Sequence, residues 1–312
     1  MSSSSLPAGN PILTAPILAT IVRLSTPNMM AMVATASVAI AETAYVGLLG
    51  TAALAGMALV FPTVMLQQML SAGAMGGGVS SAVSRALGAG DIDKARSLAF
   101  HTLLIGLAGG IGIGATFLVL GPSIYRLLGG QGAVLDQALV YSNSVFAGAL
   151  AIWLCNLFAS VVRGMGNMTV PSSTLLAVAA IQIVVGGGLG LGLGPLPRLG
   201  MVGVGLGQVV AYGLGALWLL RFLRSGRGRF VMPLSGVRPR WDHALDILKV
   251  GGVASLSSIQ SVLTVLILTR LVARFGDAAL AGYGIGSRIE FLLIPVTFAI
   301  GVSLVPMVGM AI

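Results

Sequence analysis

Glu42 stands 42 − 23 = 19 positions after Arg23, and no charged residue lies between them. The next charge after it is Arg85, beyond 42 uncharged residues. A carboxyl group isolated in apolar sequence either faces a partner or watery cavity, where it can take up a proton or small cation, or reaches the polar edge of its element. Amide side chains recur in the same kind of sequence at Gln67, Gln68, Asn156, Gln182 and Gln208. Such groups can bond a polar substrate or hold neighbouring helices together. Glu290 follows Arg288 at i, i+2, so the two do not share a helix face. Glu290 is then either a second interior acid or an interfacial residue.

Other chemistries find no residues here. The single cysteine, Cys155, lies in an apolar run and reads as a packed side chain. His101 and His243 are single and distant in sequence, so no metal pair is expected, and Na+ near Glu42 is the one inorganic ion left open. The two lysines, Lys94 and Lys249, are not preceded by Gly, which excludes a phosphate-binding G-x-x-x-x-G-K loop, and no G-x-S-x-G elbow exists. The GVGLG and LGLGLG strings lack flanking strand patterns and read as close helix packing. No enzyme and no organic cofactor are expected.

The elements that carry these residues follow from where charge is absent. Only 8% of the chain is charged and 56% is hydrophobic, with a mean hydropathy of +1.01; a soluble domain carries about 25% charge. Uncharged gaps of 42, 29, 26, 34, 22 and 20 residues separate the charges at 42–85, 96–126, 136–163, 163–198, 198–221 and 249–270, and 22 residues follow Glu290. A helix needs about 20 residues to cross a bilayer. Gly-, Pro- and Asp-containing breaks divide these gaps into eight helices near 17–47, 51–83, 94–121, 135–163, 170–194, 200–223, 244–274 and 278–312. The runs are too long and continuous for a barrel. The 45 glycines suit helices in close contact. The fold class is an all-α integral membrane protein whose partner is the lipid bilayer.

The net charge of +9 does not form one nucleic-acid surface; the cations sit between apolar runs. Arg85, Lys94 and Arg96, then Arg163, then seven basic residues from Arg221 to Lys249 mark alternate loops. The positive-inside rule places these loops, and the N-terminus, in the cytoplasm. Arg270 and Arg274 fall on the opposite side, where long side chains can snorkel. Met1–Pro11 has no basic residue and does not resemble a cleaved signal.

GTAALAG at 50–56 recurs as GDAALAG at 276–282, an offset of 226. Six helices per copy return the chain to the same side, giving parallel repeats. The expected organisation is a six-helix lobe over 1–223, a basic cytoplasmic linker over 224–243, and the first two helices of a second lobe over 244–312. Two full copies need roughly 450 residues, so the sequence reads as ending after the eighth of twelve helices.

The stretches AETAYVGLLGTAALAG (41–56), SSAVSRALGAGDIDKAR (80–96), VVRGMGNMTVP (161–171), GPLPRLGMVGVGLGQVVA (194–211) and RFGDAALAGYGIGSRIEF (274–291) carry a resemblance in register over nearly the whole chain. The chain resembles the multidrug and toxic compound extrusion (MATE) transporters, bacterial branch. The resemblance implies two six-helix lobes around a central cleft. It places the first-helix acid at Glu42, where relatives usually carry Asp, and cavity polar residues at Asn156, Gln182 and Gln208. Many relatives carry Asn-x-x-x-Asp on the fifth helix, against Gln182 and Gly186 here, and some carry an acid midway along the seventh, against Gln260 and Ser261.

The function expected is antiport export of drugs or other amphipathic, cationic small molecules against H+ or Na+, by a multi-pass protein of the bacterial inner membrane that is monomeric when full length. Glu42 would bind the coupling ion, and plastic methionines would suit broad specificity. The alternatives are a lipid-linked saccharide flippase of related fold, disfavoured because the arginines collect in loops, and an inactive membrane fragment.

Overall fold

The computed structural model describes residues 15–236, 238–272 and 297–311. Glu290, Arg288, Arg274 and the second repeat string at 276–282 lie outside them. The described chain is a bundle of α-helices in the expected order. These are α1 (Ile17–Gly47), α2 (Thr51–Gly88), α3 (Ile92–Leu127), α4 (Gly132–Ala147 and Ala149–Gly164), α5 (Thr169–Leu191), α6 (Met201–Arg224), α7 (Trp241–Val272) and α8 (Thr297–Ala311). Among the described residues six helices are individually long and apolar enough to cross a membrane, and α4 makes a seventh span if its two arms are taken together. The expected third helix gains a turn at its C-terminus. The expected eighth is described only from Thr297.

Glycine punctuates the connections for a backbone reason. Gly50, Gly90, Gly129, Gly166 and Gly192 have φ of 122°, 74°, 94°, 84° and 72°, a region costly for a residue with a Cβ. After Gly90, the Asp91 carboxylate accepts from Lys94 N at 2.8 Å and caps α3.

Two departures from regular helix were not legible in the sequence. α2 passes through a π-helical stretch at Met69–Met75, immediately after Gln67 and Gln68. α4 bends by 49° at Gly148, where a Cβ would stand 2.2 Å from Val209 Cγ2 on α6. A side chain at 148 would push α6 away, so the bend and the close approach share one residue.

Within the bundle α5 packs against α1 and α6, the two arms of α4 against α2 and α3, and α7 against the π stretch, the end of α2 and the start of α3. The interior mixes an apolar core, including Phe146, Phe158 and Leu157, with buried polar groups, while many large apolar side chains also face outward. Thr63 and Ser142 bond the Tyr125 hydroxyl at 3.1 and 2.7 Å in the interior, while Leu18, Val33, Ile40, Val119, Leu217 and Leu256 stand exposed. Such an apolar exterior fits helices whose outer solvent is hydrocarbon.

The basic loops gather at one end. Lys94 Nζ contacts Asp246 Oδ2 at 2.8 Å, joining the start of α3 to α7, and Gly228 of the linker sits against Met165 after α4. Arg163 ends the fourth helix as expected, but it is buried instead of facing the solvated loop. It occupies the last turn of α4, is 4% exposed, and its Nε has no hydrogen-bond partner.

Candidate functional site

The carboxyl of Glu42 lies inside the bundle, 9% exposed, well along α1 towards its C-terminus. Gln182, on α5, donates from Nε2 to Glu42 Oε1 at 2.8 Å. This pairing arises because α1 and α5 pack along one another, bringing together residues 140 apart in sequence. Among the described residues no cationic side chain contacts Glu42. One turn further along α1 is Tyr45, also buried, whose hydroxyl makes no well-formed hydrogen bond but stands close enough to the Glu42 carboxyl to interact with it. That hydroxyl lies 3.0 Å from where a Cβ on Gly186 would stand. Gly186 in turn abuts Gly207 of α6, whose Cβ would meet the Gly186 Cα at 2.3 Å. The site therefore has one acid, one neutral amide and one phenol, enclosed by a helix crossing that only glycine permits.

A second polar cluster forms where the π stretch of α2 meets α4. Asn156 Nδ2 donates to Gln68 Oε1 at 2.9 Å and to Ser71 Oγ at 2.8 Å. Gln68 Nε2 donates to the Tyr212 hydroxyl of α6 at 2.8 Å, and Ser71 Oγ donates to the Gln67 carbonyl at 2.8 Å. π-helical insertions are frequent at functional sites because they re-aim side chains. Gln67 is fully buried, yet neither its Oε1 nor its Nε2 has a partner. Gln208 is buried one turn before Tyr212 on α6, so at i, i+4 the two share a face that runs from the Gly207 crossing to the second cluster.

The structure thus joins Glu42 to Gln182, and Gln68 to Asn156, while Gln67 and Gln208 are interior without side-chain hydrogen bonds. Glu290 lies outside the described residues. Sequence reading missed Tyr45, Ser71 and Tyr212. For Tyr45 the signal was available, since i, i+3 places it on the Glu42 face; Ser71 and Tyr212 are brought in by tertiary packing alone. The histidines set aside as distant are in fact neighbours, their ring centroids 6.0 Å apart. Among the described residues, however, no three His, Cys, Asp or Glu side chains group as metal ligands.

Comparison with known proteins bears on this arrangement. The chain is 25% identical over 305 residues to an FAD transporter of Shewanella oneidensis, covering 96% of this chain and 66% of the relative. It is 25% identical to the probable multidrug resistance protein NorM of Thermotoga maritima, covering 93% and 62%, and 28% identical to the multidrug export protein MepA of Staphylococcus saprophyticus, covering 69% and 46%. The chain spans two thirds or less of the length of these relatives. Among solved structures it superposes on a MOP superfamily transporter from Pyrococcus furiosus, described as having a binding pocket of reverse polarity, with a TM-score of 0.87 and 26% identity over 96% of this chain and 66% of that one. An outward-facing multidrug resistance MATE transporter matches with the same TM-score and identity over 96% and 67%. The MatE family model matches residues 27–186, α1 through most of α5, which contain both polar clusters apart from their α6 members. With just over half of its residues matched by that model, the chain belongs to the MATE family of multi-pass membrane transporters.

Proposed function

We propose that the chain exports amphipathic, cationic small molecules by antiport, with Glu42 carrying the coupling H+ or Na+. The observation that carries the reading is the company Glu42 keeps. A buried carboxylate needs compensation, and the Gln182 amide with the neighbouring Tyr45 phenol supplies dipoles but no charge. A proton or Na+ supplies the missing charge, and substrate or ion exchange at the site becomes a means of coupling. The second cluster, Gln68, Asn156 and Tyr212, offers amide and phenol contacts for substrate polar groups on the same α6 face.

On this reading α1–α6 form one lobe, the basic segment 224–243 links it to the second, and α7 and α8 open that second lobe. The 241 − 17 = 224 residues between the starts of α7 and α1 support this, lying close to the repeat offset of 226. The basic-loop end is the cytoplasmic one, with the N-terminus on that side of an inner membrane.

A second reading is an organic anion such as a flavin nucleotide. The Shewanella relative's name favours it, and so does Arg163, a buried cation with no carboxylate contact among the described residues. The test is transport in proteoliposomes of a fluorescent lipophilic cation and, separately, of FAD, with and without an ionophore. Ionophore-sensitive export of the cation that Glu42→Gln abolishes supports the first reading. FAD movement that survives Glu42→Gln and fails in Arg163→Gln supports the second, and cation export unchanged by Glu42→Gln overturns the Glu42 role.

A further inference from the structure

The two histidines lie at the basic-loop end, well away from the Glu42 site, and the transport reading leaves them unused. His101, 3% exposed on α3, receives the backbone N–H of Arg240 at its Nε2, 2.9 Å away. Its Nδ1 lies 2.8 Å from the Ser97 carbonyl one turn earlier. A backbone N–H only donates and a carbonyl only accepts, so these contacts fix the ring as the neutral Nδ1–H tautomer. Arg240 is the residue before α7, and its carbonyl accepts the first helical bond from Ala244 N at 3.2 Å. His101 therefore ties down the head of α7 from across the bundle.

The surroundings reinforce that tie. His243 Nδ1 lies 2.7 Å from Ser97 Oγ, and Phe100 meets the His101 ring edge-on at 5.8 Å. Arg240 forms an ion pair with Asp242 at 2.8 Å, and Lys94 with Asp246 at the same distance. The charged and titratable groups at this junction are Lys94 from α3, and Arg240, Asp242, His243 and Asp246 from the linker and α7. Of the other helices packed here, the last turns of α2 contribute Arg85, bonded to Ser81 of its own helix, and α4 contributes Arg163. None of the carboxylates contacts His101.

We propose that His101 is a proton-operated latch between α3 and α7, closed while its ring is neutral and opened when it takes up a proton from the basic-loop side. A proton on Nε2 sets one N–H against another, and the Arg240 hydrogen bond is lost. Apart from the apolar packing of α7 on α2 around Ile247 and Gly251, the remaining polar ties at the head of α7 are the half-exposed Lys94–Asp246 pair and the His243–Ser97 contact, neither of which holds the Arg240 backbone. Because α7 is the first helix after the linker, releasing Arg240 loosens the entry of the linker into α7 while the body of α7 stays packed on α2.

Hydrogen exchange of the chain in lipid nanodiscs tests this, reading the peptide over residues 238–245 at about pH 7.5 and pH 5.5, each normalised to its intrinsic rate. Wild type is expected to lose about tenfold or more of the protection at the lower pH, the scale of one buried hydrogen bond left unmade. His101→Gln, whose Oε1 can accept the same N–H, is expected to show no pH step, and His243→Gln to keep it. No step in wild type, a step surviving His101→Gln, or one removed by His243→Gln alone overturns the proposal. Nitrogen-15 histidine spectra of wild type keep the test open if His101→Gln misfolds. A protonated Nδ1 with bare Nε2 is expected at about pH 7.5, and the opposite tautomer or a charged ring overturns the latch. None of these readouts involves Glu42, so failure here leaves the transport reading standing.

Discussion

The phenol oxygen of Tyr45 occupies the space that a side chain at position 186 would need, 3.0 Å from where the Gly186 Cβ would be. Resemblance to the family pointed to an acid at that place on the fifth helix in many relatives. In this chain α1 fills the place from the other side with a neutral group three residues from Glu42. Glu42 is thereby left as the one carboxyl at the α1–α5 contact among the described residues, and the small residue at 186 and the phenol at 45 explain each other sterically.

In Gly186→Ala the Tyr45 hydroxyl must give by a few tenths of an ångström, a crowding cost expected to cancel the gain of about 0.5–1 kcal/mol that Gly→Ala normally brings to a helix. In a Tyr45→Phe background the obstructing oxygen is gone, so the same change should be measurably more favourable. Thermal unfolding of the four proteins in detergent forms a double-mutant cycle. Additive effects would show that the two residues do not compete for this space.

Gly207→Ala should be worse than Gly186→Ala. Its Cβ meets backbone, Gly186 Cα at 2.3 Å and Gly186 N at 2.5 Å, which cannot rotate away as a side chain can. Gly112 of α3 has nothing within 4 Å and serves as the control. Gly112→Ala is expected to lie within about 0.5 kcal/mol of wild type. Equal unfolding temperatures for Gly207→Ala and Gly112→Ala would contradict the close α5–α6 crossing.

Asn156→Ala removes the donor shared by Gln68 Oε1 and Ser71 Oγ, leaving Gln68 Oε1 without its partner and Ser71 Oγ with only its bond to the Gln67 carbonyl. The expected loss is about 1–3 kcal/mol. Tyr212→Phe removes only an acceptor from Gln68 Nε2 and should cost about 1 kcal/mol. Denaturation midpoints decide it, and an Asn156→Ala cost no larger than that of Tyr212→Phe would show that Asn156 does not sit at the centre of the network.

Glu42→Gln keeps the shape of the group and leaves Gln182 a carbonyl oxygen to bond. Folding stability should change by less than about 1 kcal/mol, while ion-coupled transport fails, which separates a coupling role from a structural one. A large drop in unfolding temperature would assign Glu42 to packing instead.

Lys94→Met should matter little. The Lys94–Asp246 pair is more than a third exposed on both sides, 38% and 36%, so solvent and salt screen it. The expected cost is below about 1 kcal/mol and vanishes in high salt; a larger cost that persists in salt would mean that the contact is buried by further chain.

The spans were legible because hydrocarbon excludes charge locally: the gaps between Glu42 and Arg85 or Arg163 and Arg198 mark helices without knowledge of any neighbour. The breaks were legible for a similar reason, since Gly50 and Gly90 adopt backbone angles that glycine favours whatever surrounds them. Glu42 stood out because an isolated acid in a span is conspicuous in one dimension.

The partners of Glu42 were decided only in three dimensions. Gln182 lies 140 residues away, and the hydrogen bond exists because α1 lies along α5. The bend at Gly148 depends on Val209, and the pairing of His101 with the Arg240 backbone depends on how α7 enters the bundle. Arg163 read as the end of the fourth helix because charge marks span ends; that the same charge is buried there is a consequence of the packing of α2 over it. The sequence by itself determined which segments enter the membrane, because transfer of a helix into lipid is a property of that helix. Which polar groups meet inside was settled by helix crossings, whose geometry depends on pairs of surfaces that no single segment encodes.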